Sequence, residues 1–389
     1  MTGYRLSFAR RDLAIVLILA IGVALRFWVS TLGSNFDLES YGIVAEIVDR
    51  GGNVYAETER YNYGPIWFFV LGVLHDLGGL FSDPVGAFRI LIIAVLTLAD
   101  VGIWAVLHRR YGRIAGFLFF LNPISIIITG YHNQFDNLAV LVGLLAMVVY
   151  AASFLPALLL LGLSLTVKHV LLVLPLWLAI REKGLRRKLL AVAVPLSVLA
   201  VSFVPFLAGG RSGIVSNVAL YRGHDNAPFW HGVLPAQLQP LISPIVLFGV
   251  VVLVLGFVWR REEPLDLALL YLVTIVVFAP SIANQYLAIV VPALAAFPSP
   301  LFLPYQVLAA WMLAIHPDGL HNAWLRDRSP GQLVAEQSWP RTYDPLIMAL
   351  SLGLAGLLFP ALHSLPRRAW EWTSREAKAQ WRLLRGHDA

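Results

Sequence analysis

The chain has 389 residues, 58% hydrophobic and 13% charged, with a mean hydropathy of +0.73. Average soluble proteins are roughly 25% charged, so a soluble globular fold is excluded, and the formal charge of +6 reports membrane orientation rather than nucleic-acid binding. With no cysteine, disulfides and thiolate metal sites are excluded as well.

In chain order, the first apolar run, Leu13 to Val29, is too long for the core of a signal peptide, and no A-x-A site follows it. It is expected to be retained as a span. Apolar periodicity and run length predict twelve spanning helices: 12–31, 86–107, 113–130, 136–152, 155–167, 170–181, 189–208, 241–259, 265–281, 285–297, 300–316 and 344–363. Segments 155–167, 170–181 and 285–297 are short for a bilayer and suit broken helices that line a cavity within protein. With the N-terminus inside, 19 of the 29 Lys and Arg residues fall on the cytoplasmic side. That count requires 65–81, "PIWFFVLGVLHDLGGLF", to lie on the membrane as an interfacial helix rather than cross it.

The expected class is therefore an all-α polytopic membrane protein with outer segments at 32–85, 209–240 and 317–343. Residues 1–208 form a first transmembrane module and 209–363 a second. The tail 364–389, rich in Trp and basic residues, is expected to be a cytoplasmic interfacial helix.

Four polar clusters interrupt the apolar pattern. In "NFDLESY" (35–41), Asp37 precedes a helical run in which Tyr41, Val44, Ile47 and Val48 share one face. A helix N-cap explains Asp37 in the simplest way. A carboxylate at the membrane lip also suits a general base, with Glu39 in reserve. In "GYHNQFDNL" (130–138), His132, Gln134 and Asp136 sit between two spans, where polar groups are costly without partners or a task. In "LTVKHVLLVLP", Lys168 and His169 break an apolar stretch, and two half-helices would place them at an outer turn, suited to a phosphate. In "YRGHDNAPFWHG" (221–232), Arg222, His224 and His231 can add positive charge, Trp230 can stack on a sugar or anchor at the interface, and Asp225 could join a metal with Asp37 or Glu39. Arg26, Arg89 and Asp100 lie within spans, Asp100 as a structural partner and the arginines near the outer ends, where they could orient the acidic loop or bind a lipid phosphate. No zinc-ligand pattern, Walker loop or dinucleotide fingerprint is present.

These residues carry a family resemblance. "NFDLESY" is similar to the acidic first-loop motif of the GT-C superfamily of glycosyltransferases, in particular the dolichyl-phosphate-glucose-dependent glucosyltransferases and their bacterial relatives. "YNYGPIWFF" resembles their tyrosine-proline-proline stretch, with Gly64 in place of the first proline. "FRILIIAVLTLAD", "LNPISIIITGYHNQFDNL" and "LTVKHVLLVLP" follow in the same order, so the likeness covers roughly residues 26 to 180. A late histidine-glutamate pair of the eukaryotic enzymes is replaced here by Asn284 and Gln285.

The resemblance implies a GT-C fold and inverting transfer of a hexose from a polyprenyl-phosphate donor, with no cofactor and no metal. Asp37, or Glu39 in reserve, would be the base. Lys168, His169, His132 and Arg222 would meet the donor phosphate, and Gln134, Asp136, Tyr63, Trp230 and Gln285 the sugar or acceptor. The acceptor would be a glycan, a lipid-linked glycan or a protein, in contact with membrane lipids and no nucleic acid. The Cys-free, Arg-rich composition points to a bacterial inner membrane with the site facing the periplasm. The competing class is a secondary transporter or lipid flippase, with Lys168, Asp100 and Arg89 as coupling groups.

Overall fold

A computed structural model describes residues 2–221, 223, 226–239, 241–316, 319–322, 324, 327 and 343–359. Arg222, His224, Asp225, the tail 364–389 and most of 317–343 lie outside the described residues, as do the expectations attached to them.

Helices start where the sequence supplies a start. Proline stands at the first turn of the helices Pro65–Gly78, Pro84–Tyr111, Pro123–Ile127, Pro244–Val258 and Pro264–Phe278, where its missing N–H costs nothing. Asp83 Oδ1 accepts from the Gly86 amide at 3.0 Å, and Asn122 Oδ1 from the Ile124 amide at 3.0 Å. Each of the twelve apolar segments is largely helical, and no strand occurs among the described residues. Among the described residues, three helical stretches are long and apolar enough to cross a membrane: Leu13–Ser30, Pro84–Tyr111 and Leu185–Ala219. The pair Arg113–Phe120 and Pro123–His132, bent by 45°, makes a fourth if taken as one broken span. Leu13, Val16, Leu17 and Ile21 leave more than half of their surface exposed on the first helix, a face suited to lipid. By contrast, Pro264–Phe278 is apolar all round and buried almost throughout, the pattern of a central helix.

The 32–85 segment folds as a compact unit on this bundle. Helix Asp37–Asp49 buries Tyr41, Val44, Ala45 and Ile47, the face expected from spacing apart from Val48, which is only partly buried. Helix Pro65–Gly78 buries Trp67, Phe68, Leu71 and Leu74. The two helices meet an aromatic cluster in which Trp67 stacks on Phe135, with centroids 4.4 Å apart at 12°, and Tyr63 meets the same ring edge-on at 4.8 Å. Gly64 is required by this docking: a Cβ there would stand 2.1 Å from the carbonyl oxygen of Thr166. A proline, like any residue with a side chain, would clash there with the backbone of Thr166.

Below this unit, Arg26 ties four segments together. It is fully buried, and its Nε donates to Asp100 Oδ2 at 2.8 Å. Its Nη1 donates to the Phe120 carbonyl at 2.9 Å and its Nη2 to Ser125 Oγ at 3.0 Å. Asp100 also accepts from Thr129 at 2.7 Å and Asn137 at 2.9 Å. Asp100 is thus a structural partner, as expected, and Arg26 is its cation rather than a ligand for the acidic loop. Arg89 fulfils the loop role instead, donating to the Gly33 carbonyl just before "NFDLESY".

A buried charge that loses its partner is expensive, roughly 3–5 kcal/mol. Arg26→Met is therefore expected to lower unfolding stability by about that much, and adding Asp100→Asn to recover part of the loss. Denaturation of the purified variants in detergent checks both.

Candidate functional site

The site is assembled from three chain breaks. The first helix ends at Ser30, and Asn35 and Asp37 follow, with Asp37 as the first residue of its helix. The residue at the cap position is Phe36, without a side-chain cap bond, so Asp37 is not an N-cap. Its carboxylate is held sideways: Oδ2 accepts from Asn35 Nδ2 at 3.0 Å and from the Gln134 side-chain amide.

The second break lies at 128–135. Helix Pro123–Ile127 widens into a π turn, Ile128–His132, and stops at Asn133, which adopts the left-handed conformation. Asn133 Nδ2 donates to the Thr129 carbonyl at 3.2 Å and the Gly130 carbonyl at 3.1 Å, closing the turn with its own side chain. Gly130 admits the first helix at close range, since a Cβ there would lie 2.4 Å from the Arg26 carbonyl oxygen. This turn aims His132 and Gln134 at Asp37 and starts the next helix on Asp136, where the N-terminal dipole favours a carboxylate.

The third break is the one expected at Lys168. Helix Phe154–Val167 ends there, Lys168 is extended, and a short 3₁₀ turn, His169–Leu171, follows. No glycine or proline causes the break. Tyr271 supports it from the central helix: its hydroxyl donates to the Val170 carbonyl and accepts from the Val173 amide, each at 3.2 Å. Lys168 Nζ donates to Asp136 Oδ2 at 2.6 Å and reaches Gln134 Oε1 at 3.4 Å, with the rings of Tyr63 and Phe135 each 4.7 Å away. A continuous polar chain thus runs Lys168–Gln134–Asp37–Asn35–His132, the last contact being 3.1 Å between Asn35 Nδ2 and His132 Nδ1.

Two cavities flank this chain. One, of about 280 Å³, is mainly apolar and is lined by Lys168, His169, Val173, Phe248, Ile275 and Ile289, among others. The other, of about 490 Å³, is more polar and is lined by Asp37, Tyr41, Arg60, His132, Asn284 and Gln285, among others. Asn62, Tyr63 and Tyr221 line both. Tyr63 stands over His169, with centroids 6.2 Å apart at 29°.

The structure brings together Asp37, His132, Gln134, Asp136, Lys168, His169, Tyr63 and Gln285. It does not bring in Trp230, which is buried against Phe229 and Phe278 and donates to the Phe278 carbonyl at 3.0 Å; its ring is spent on packing. Glu39 is 66% exposed and pairs with Arg60 at 2.7 Å, so it does not share the buried setting of Asp37. Sequence reasoning missed Asn35 as a bridge, Tyr41, Asn62 and Tyr221. For Asn35 the signal was present, an Asn two residues before a carboxylate, which favours a local side-chain turn.

Compared with protein-family models, curated proteins and solved structures, the chain matches none.

Burial pushes the Asp37 carboxyl above its ordinary value; bonds from Asn35 and Gln134 and the charge of Lys168 pull the other way without cancelling it. The folded state therefore binds this proton more tightly than the unfolded chain. Its contribution to stability falls as pH rises from the ordinary carboxylate range through the raised value. Gln134→Leu removes a donor to the carboxylate and is expected to move Asp37 protonation to higher pH. Infrared titration, taken as the difference from Asp37→Asn, reads this directly, and an unchanged midpoint contradicts the assignment.

Proposed function

We propose that the chain is a membrane-embedded glycosyltransferase that moves a hexose from a polyprenyl-phosphate donor to an acceptor hydroxyl. The observation that carries this reading is the pairing of two cavities across one polar chain. The apolar cavity carries a buried cation, Lys168, and suits a lipid phosphate with its prenyl chain. The polar cavity carries Asp37 and suits a sugar. The resemblance of residues 26 to 180 to the GT-C glycosyltransferases supports the same reading, as does the place of all three breaks beside that chain.

In this mechanism the acceptor oxygen forms the new bond to the anomeric carbon, while the bond from that carbon to the phosphate oxygen breaks with both its electrons. The acceptor proton passes to Asp37. Polyprenyl phosphate leaves as an anion beside Lys168, with His169 on the same wall. A departing phosphate needs no general acid at neutral pH, so one carboxylate suffices. A single displacement inverts the anomeric configuration. The full proposal has twelve crossings, the Pro65–Gly78 helix lying on the membrane, and the site facing the periplasm of a bacterial inner membrane.

A secondary transporter or lipid flippase is the second reading, favoured by the two buried ion pairs, Arg26–Asp100 and Lys168–Asp136. One assay separates them: transfer from a synthetic polyprenyl-phosphate hexose by purified protein in detergent, without any gradient. Asp37→Asn is expected to lower that rate by about 10²–10⁴-fold, and Glu39→Gln to leave it close to wild type. Full transfer by Asp37→Asn overturns the base assignment.

A further inference from the structure

Among the described residues, three buried polar atoms of residues lining the polar cavity find no hydrogen-bond partner: Tyr41 Oη, Arg60 Nη2 and His132 Nε2. His132 is only 1% exposed, so its orphaned nitrogen is costly unless a ligand satisfies it. Which form that nitrogen takes follows from Asn35.

The Asn35 amide is oriented by its own backbone. Oδ1 accepts from the Asp37 N–H at 3.1 Å, so the NH₂ group faces Asp37 Oδ2 and His132 Nδ1. An amide NH₂ has two protons to give and nothing to accept with, so both neighbours must accept. An imidazole that accepts on Nδ1 and is neutral carries its proton on Nε2. Asn35 thus favours an ionised carboxylate at Asp37 and an Nε2–H donor at His132. Asp37 Oδ2 is filled by two amides, while Oδ1 accepts from none of the described residues.

We propose that Asn35 is a positioning residue whose single amide holds the Asp37 carboxylate as an acceptor and fixes His132 as the Nε2–H tautomer. Its bearing on transfer rests on the proposed reaction, whereas the tautomer assignment stands on geometry.

The test is ¹⁵N NMR of histidine-labelled protein in lipid nanodiscs, with the His132 signals assigned by their loss in His132→Gln. Wild type is expected to show a neutral ring protonated on Nε2, which needs no altered chain. In Asn35→Ala the ring is expected to redistribute toward Nδ1–H. In Asn35→Asp an oxygen replaces the donor, so Nδ1 is expected to gain the proton. Lys168, Asp136, Tyr41 and Tyr63 act on or feel the charge of Asp37, and His316 acts on His132; none is altered by these substitutions. Both variants lose a bond that favours the Asp37 carboxylate, so the acid limb of transfer is expected to move to higher pH, further in Asn35→Asp. A wild-type ring protonated on Nδ1, or a tautomer unchanged in both variants, overturns the proposal. Expected tautomers in a chain without transferase activity uphold the positioning role and contradict the transfer reading instead.

Discussion

A lysine inside an apolar bundle stays charged only with a partner, and Lys168 has Asp136 at 2.6 Å with both side chains 3% exposed. Much of the site's geometry follows from satisfying this pair. It requires the helix to stop at Lys168, whose extended backbone brings the ammonium to Asp136. It requires the 128–135 turn to end with Asp136 at a helix N-terminus. It also draws Gln134 between the pair and Asp37, where one amide donates to a carboxylate and presents its oxygen to the ammonium. A second pair, Arg26–Asp100, anchors the same turn from below through Thr129 and Ser125.

This arrangement connects packing to chemistry. The aromatic cluster of Tyr41, Tyr63, Trp67 and Phe135 clamps the 32–85 unit onto the bundle, and one member, Tyr63, lines both cavities. Asp37 lines the polar cavity, midway along a polar chain that begins at a cation. In the proposed reaction a phosphate drawn to Lys168 would compete with Asp136 for the ammonium, and occupancy of one cavity would change the electrostatics of the other through Gln134.

Much of this was legible in the sequence, for identifiable reasons. An isolated "KH" in an apolar stretch is costly enough to force a break, and the break is there. Polar "HNQFD" between two spans had to find partners, and His132, Gln134 and Asp136 all join the site. What escaped were contacts set by tertiary placement. Asn35 and His132 are 97 residues apart, and only the docked loop reveals that one amide serves both Asp37 and the ring. Asp37 resembled a cap because its neighbours are cap formers, yet the carboxylate turns away to the amides. Trp230 resembled a sugar platform because it lies in a polar stretch, yet its ring finds an apolar pocket against Phe278. Pairing across helices carries no local periodicity, so pattern reading places the elements and misses such bonds.

The most direct measurement of the central claim, that Lys168 receives a lipid phosphate beside the base, is an experimental structure with a non-transferable polyprenyl-phosphate sugar bound. The account predicts the phosphate within hydrogen-bond distance of Lys168 Nζ, the prenyl chain in the apolar cavity, and the sugar directed past Tyr63 toward Asp37. A lipid phosphate bound elsewhere, with Lys168 still closed on Asp136, would contradict it.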